Sequence, residues 1–129
     1  MLDARLCRWP IYNQMVVRRN PQVASREEQV NRIFRALADP TRRDIIRRTL
    51  ASEATVSELA AAYDMSFAAV QKHVAVLEGA GLVIKHASGR ERIVAGNPDA
   101  IRSAQSLLDD YEQIWRGRVA RLDALLAGG

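Results

Sequence analysis

The 129-residue sequence predicts a mostly α-helical domain with one small β-hairpin, in the order α-α-α-α-β-β-α. Three observations predict it. Polar residues able to cap a helix stand just ahead of apolar-periodic stretches at Ser25, Asp39, Thr55, Ser66 and Asn97. Two runs rich in β-branched residues, Leu82–His86 and Arg92–Ala95, flank a loop containing Gly89, which is a hairpin pattern. A final segment of nearly thirty residues then repeats apolar residues at alternating steps of three and four.

Each element has a local cause. Ser25-Arg26-Glu27-Glu28 fits a capping box, and Val30, Ile33, Phe34 and Leu37 follow it on one helical face. Asp39-Pro40 starts a second helix, with Pro at the first helical position, where its missing N–H costs nothing. Ile45, Ile46, Thr49 and Leu50 form its expected buried side, leaving Arg42, Arg43, Arg47 and Arg48 mostly outward. Thr55-Val56-Ser57-Glu58 caps a short third helix that buries Val56, Leu59, Ala60 and Tyr63. After a break at Asp64-Met65, Ser66 caps a fourth, running to about Ala80 and burying Val70, Val74 and Leu77. Gly81 then falls where a left-handed residue closes a helix. Ala87–Glu91 is the hairpin loop, and Asn97-Pro98-Asp99 begins the last helix.

That helix carries Ile101, Ala104, Leu108, Tyr111, Trp115, Leu122 and Leu125 on one stripe, broken only by Arg118. Leu107, Ile114, Val119 and Leu126 widen it. At 1.5 Å per residue it reaches about 40 Å, longer than one face of so small a domain can cover. The expected organisation is therefore an N-terminal arm or extension over 1–24, a compact domain over 25–96 and a dimerisation helix over 97–129. Pro10, Asn20 and Pro21 interrupt the arm, which is either disordered or draped over a partner subunit, and Met15 is an alternative start.

Composition narrows the class. The length suits one domain. No apolar run approaches the ~20 residues that cross a bilayer, and residues 1–14 have no apolar core of a signal peptide. The single cysteine, Cys7, makes no internal disulfide, so a stapled secreted scaffold is excluded; a redox role for it is a weaker reading than an incidental thiol. A cytoplasmic protein without membrane contact is expected. The net charge of +4 is unevenly spread: residues 1–50 hold eleven arginines against five carboxylates, and Lys85, Arg90 and Arg92 form a second basic group. That asymmetry favours a polyanionic partner. No nucleophile–base pair, phosphate-cradling glycine loop or metal cluster stands out, so an enzyme is not expected, nor a cofactor.

A short helix, a tight turn and a second capped helix make a helix-turn-helix, and the hairpin after it is a wing. In that geometry the second helix enters the DNA major groove. The helix from Ser66 exposes Phe67, Ala68, Gln71 and Lys72. Gln71 can pair bidentately with adenine, Lys72 can reach guanine or a phosphate, and Ala68 and Phe67 can meet a thymine methyl. Arg90 and Arg92 at the hairpin reach toward a phosphate or the minor groove. His73 either donates to a phosphate or packs at the helix edge, and Arg42 either meets a phosphate or stays on a solvated face.

Three motifs then carry a resemblance: Ala36-Leu37-Ala38-Asp39-Pro40-Thr41-Arg42-Arg43, Val56-Ser57-Glu58-Leu59-Ala60, and the stretch Met65–Val83 around Val70-Gln71-Lys72-His73-Val74. Together they resemble the ArsR-type winged-helix repressors over about residues 28–96. The resemblance implies a homodimer joined by its first and last helices, double-stranded DNA as partner, a palindromic operator, and repression relieved by a signal. Ile33, Leu108, Tyr111, Trp115 and Leu122 are the expected interface residues. Metal-sensing members carry two cysteines at positions that look like Thr55 and Ser57 here, so the chain resembles the metal-independent branch, with no metal site expected. An effector pocket at Tyr111 and Trp115 is weighed against plain interface packing, which an aromatic stripe more often means. The competing function is a winged-helix dimer that binds a protein or small molecule through exposed Phe67 and uses DNA little.

Overall fold

The computed structural model describes residues 21–128, with side chains from Ser25. The expectations for Cys7, Met15 and the rest of 1–20 lie outside these residues. Helices α1 (Pro21–Leu37), α2 (Pro40–Ala51), α3 (Val56–Ala61), α4 (Phe67–Gly79) and α5 (Pro98–Gly128) alternate with strands β1 (Ala54–Thr55), β2 (Val83–Ser88) and β3 (Glu91–Gly96). This is the expected winged helix-turn-helix with three differences.

First, α1 begins at Pro21, so Ser25 lies inside it and does not cap it. Proline at a first helical position starts a helix as well as a capping box does. Second, Ala54–Thr55 forms a short strand that pairs with Val94 and Ile93 of β3, giving an antiparallel sheet in the order β1-β3-β2. Two residues ahead of a helix cap carry no alternation for a sequence to reveal. Third, the hairpin is longer, with Ser88 opposite Glu91 and only Gly89-Arg90 at its tip. Gly89 takes φ +65° while Arg90 does not, the pattern of a type II′ turn, whose twist suits a hairpin.

The caps that position α2, α3 and α4 form as expected. Asp39 accepts from the Arg42 backbone N–H at 3.0 Å. Thr55 and Glu58 exchange bonds of 2.9 and 3.0 Å in a complete capping box. Ser66 Oγ accepts from Ala69 N–H at 3.1 Å. At the other end of α4, Gly81 at φ +75° lets its N–H reach Glu78 O (3.0 Å) and Leu82 N–H reach Leu77 O (2.9 Å). This is a Schellman closure, and Leu77 and Leu82 are both fully buried beside it.

The core gathers Ile33 and Ala36 of α1, Ile45 and Ile46 of α2, Val56 and Leu59 of α3, and Val70, Val74 and Leu77 of α4. Leu82, Val83 and Val94 of the sheet and Ala100 and Ala104 of α5 complete it. Each fully buried aliphatic side chain contributes roughly 1.5–3 kcal/mol. Leu50 is a correction: expected inside, it is exposed at the end of α2, against Gly96. A Cβ on Gly96 would lie 2.7 Å from Leu50 Cδ2, so glycine lets β3 pass this close. Among the described residues no helix is long and apolar enough to cross a membrane.

Candidate nucleic-acid interface

Ser66, Phe67, Ala68, Gln71 and Lys72 are all exposed on the first turns of α4. The wing curls toward them. Phe67 and Gln71 line a groove of about 490 Å³ together with Lys85, Arg90 and Arg92, and Thr55 of β1 and Val56 and Ser57 of α3 also border it. In the β2–β3 register Lys85 pairs with Val94 and Ala87 with Arg92, so Lys85 and Arg92 share the sheet face that carries buried Val94. The hairpin tip presents Arg90 beside Gly89. One acceptor-and-donor side chain, one exposed aromatic ring and three cations thus border a single concave surface. Glu91 also lines it and offsets part of the positive charge. Lys85 Nζ lies 3.5 Å from Glu78 Oε1, tying β2 to the last turns of α4. That contact joins groups seven residues apart and has no local sequence signal.

Two site expectations change. Arg42 turns inward: its Nε donates to Ala36 O at 2.8 Å and its Nη2 to Arg35 O at 2.9 Å. These are last-turn carbonyls of α1, and Arg35 O also accepts from the Ala38 N–H at 3.2 Å. Its Nη1 stands 3.4 Å from His73 Nδ1 on α4. Arg42 is therefore a clamp between α1, α2 and α4, with its Nε and Nη2 engaged by backbone carbonyls. His73 is half-buried at the edge of α4, 3.9 Å from the Asp39 carboxylate, which favours the packing alternative. The Asp39 carboxyl is held below its usual range, chiefly by the Arg42 backbone N–H and further by the His73 and Arg42 side chains.

The outward arginines of α2 are also engaged. Asp44 pairs with Arg47 and Arg48 and accepts the Tyr63 hydroxyl at 2.5 Å, while the Arg48 guanidinium sits 5.4 Å over the Tyr63 ring. The Tyr63 hydroxyl first, then Arg48 and Arg47, hold the Asp44 carboxyl well below the usual range. Burial, with help from the neighbouring carboxylate, pushes Tyr63 up to about 12. The Asp44 contribution is therefore complete above its unfolded pKa, near pH 4, and drains away as pH falls through the lower folded value. For Tyr63 the stabilisation holds below about pH 10 and is lost as pH rises through about 12. The Tm advantage of the wild type over Asp44→Asn should accordingly shrink between pH 7 and pH 3; an advantage constant across that range would deny the carboxylate this role.

Of the expected interface residues, Leu108, Tyr111, Trp115 and Leu122 are exposed along α5. Ile33 is a correction. It is fully buried in the protomer core, because the face of α1 that carries it packs on α2 and α4. The donor set at the positions where the family's metal sensors place thiolates does not fit a thiophilic metal. Thr55 and Ser57 offer hydroxyls, and Thr55 Oγ1 is already bonded to Glu58 N–H. Among the described residues no three His, Cys, Asp or Glu side chains group closely enough to hold a metal ion.

Comparison with known proteins agrees with this geometry. Residues 37–86, from the end of α1 to the middle of β2, match the helix-turn-helix domain family. The HTH-type transcriptional regulator Rv2034 of Mycobacterium tuberculosis is 35% identical over 81 residues, 63% of this chain and 76% of that protein. The crystal structure of an ArsR family transcriptional regulator superposes with a TM-score of 0.66 at 39% identity, over 70% of this chain and 93% of that one. The chain belongs to the ArsR family. A homodimeric winged helix-turn-helix DNA-binding domain from Mycobacterium bovis, a possible ArsR-family regulator, shares the fold at 23% identity and a TM-score of 0.57, over 70% of this chain and 84% of that one. Within the ArsR family fold, α3 and α4 form the helix-turn-helix, β2–β3 is the wing, and α5 is the long helix left largely outside the protomer core.

Proposed function

We propose that the chain is a cytoplasmic, homodimeric repressor that binds a pseudo-palindromic DNA site and needs no metal thiolate site for its signal. The observation that carries this reading is the shared groove, which Phe67 and Gln71 of α4 line together with Arg90 and Arg92 of the wing. Residues 25–96 are the DNA-binding unit, and 97–129 supply the dimerisation helix. Ser66, Phe67, Ala68, Gln71 and Lys72 read the major groove, with Arg90 and Arg92 on the adjoining backbone or minor groove. Two-fold symmetry then spaces half-sites by one helical turn, roughly 34–36 Å. The exposed apolar side of α5 supports the dimer, since a stripe of that length is otherwise left in water.

The test is fluorescence anisotropy on the DNA upstream of the protein's own coding sequence, at 50 and 200 mM salt with random DNA as competitor. Three to five neutralised phosphates per subunit predict a slope of log K against log salt near −5 to −9. Gln71→Ala should cost about 1–3 kcal/mol on the best operator and relax preference at one position. Equal loss on every sequence would reduce Gln71 to a positioning contact. Binding that ignores salt, or no preference over random DNA, would overturn the repressor reading in favour of a docking module that uses Phe67.

A further inference from the structure

Helices α1 and α4 are tied together at two points and stand open between them. At one end Gln29 Nε2 donates to the carbonyl of Ala80, the C-cap of α4, at 2.7 Å. At the other, Arg42 bonds the Ala36 and Arg35 carbonyls of α1 and lies 3.4 Å from His73 of α4. The two ties set the helices running in opposite directions, with roughly 9 Å of α1 between them. Along that stretch Arg32, Arg35, Val76, Gly79 and Ala80 line a cleft of about 290 Å³.

The floor of the cleft is apolar and uncovered. Val76 is 44% exposed, and a Cβ on Gly79 would meet nothing within 4 Å. Glycine is a poor residue inside a helix, and Gly79 has no positive φ that would call for it. The protomer thus leaves room there for atoms that its own side chains do not supply. Arg32 and Arg35, three residues apart on one side of α1, border this floor. Both are exposed, and among the described residues neither forms an ion pair. Glu28, one turn before Arg32, lines a neighbouring hollow and not this one.

We infer that the α1–α4 cleft binds a small amphipathic monocarboxylate, with its hydrocarbon chain over Val76, Gly79 and Ala80 and its carboxylate on Arg32 and Arg35. Guanidinium groups give carboxylates charge-assisted, bidentate hydrogen bonds, and the apolar floor takes the chain out of water. The volume lies at the low end of small-molecule sites, which suits a medium-chain acid. The cleft is separate from the groove beside the wing, so this site does not depend on the DNA-binding reading. Val76 and Gly79 belong to α4, so the ligand touches the helix-turn-helix itself.

The test is isothermal titration calorimetry of the full chain with sodium octanoate. Octanol keeps the chain without the charge, and inorganic phosphate keeps a charge without the chain. Octanoate should saturate one site per chain and bind about 10-fold or more tighter than either control. Arg32→Gln combined with Arg35→Gln should reduce octanoate to the affinity of octanol. Gly79→Leu, which places a side chain in the cleft, should abolish octanoate binding. Both variants should melt close to wild type, because the arginines are exposed and the space over Gly79 is open. Octanoate bound equally well by wild type and a folded Gly79→Leu would place it elsewhere on the chain and overturn the inference. Octanoate that never saturates, or that binds no better than octanol or phosphate, would overturn it as well.

Discussion

Leu108→Glu is expected to convert the dimer to monomers and to weaken operator binding by about 10²–10³-fold. Leu108 is exposed in the protomer, so the substitution leaves the core untouched and the monomer should melt close to wild type. In the proposed dimer the same position faces the partner's α5, and an unpaired carboxylate there costs several kcal/mol. Operator affinity falls because a linked pair of recognition units gains an effective concentration that two separate units lack. Sedimentation velocity reads the first effect, anisotropy the second, and a thermal melt the control. A Leu108→Glu protein that remains dimeric at micromolar concentration would remove α5 from the interface, while a protein that fails to melt cooperatively would place Leu108 in the core.

Arg42→Ala should unfold more easily by about 2–4 kcal/mol, lowering Tm by about 10–20 °C for a domain of this size. The guanidinium fork closes two carbonyls at the end of α1 and meets His73 on α4, so its loss opens three contacts at once. Arg42→Lys should rescue little, because one ammonium does not reproduce a planar fork across two acceptors. A phosphate contact would behave oppositely. Stability would be unchanged, and the salt slope of DNA binding would fall by about one. Chemical denaturation of the three proteins, with the salt titration alongside, separates the two roles.

The helices were legible because their starts are chemical. Asp39, Thr55 and Ser66 each combine a short oxygen-bearing side chain with a free N–H two or three residues on, and all three caps form. The exposed side chains of α4 were legible for a related reason: once Val70, Val74 and Leu77 are assigned to the core, helical geometry sends Phe67, Gln71 and Lys72 outward. What escaped was decided by distant partners. Arg42 looks like one more solvated arginine until the chain brings the α1 carbonyls to it, and Ile33 looks like a seam residue until α2 and α4 close over it. Strand β1 owes its existence to β3, some forty residues later. Leu50 sits on the apolar side of α2, but the helix ends there and the side chain outruns the core.

Asn97 joins the wing to the long helix with three bonds. Its backbone N–H donates to Leu82 O at 2.9 Å, its Nδ2 donates to Gly81 O at 2.8 Å, and its Oδ1 accepts from Asp99 N–H at 3.2 Å. Gly81 and Leu82 are also the residues that close α4. The root of the dimer helix and the heel of the recognition helix are therefore riveted at one point. The start of α5 and the end of α4 thus share a direct hydrogen-bonded connection at the root of the wing. By linkage, whatever DNA gains from a tightened α5 pair, the α5 pair gains from bound DNA.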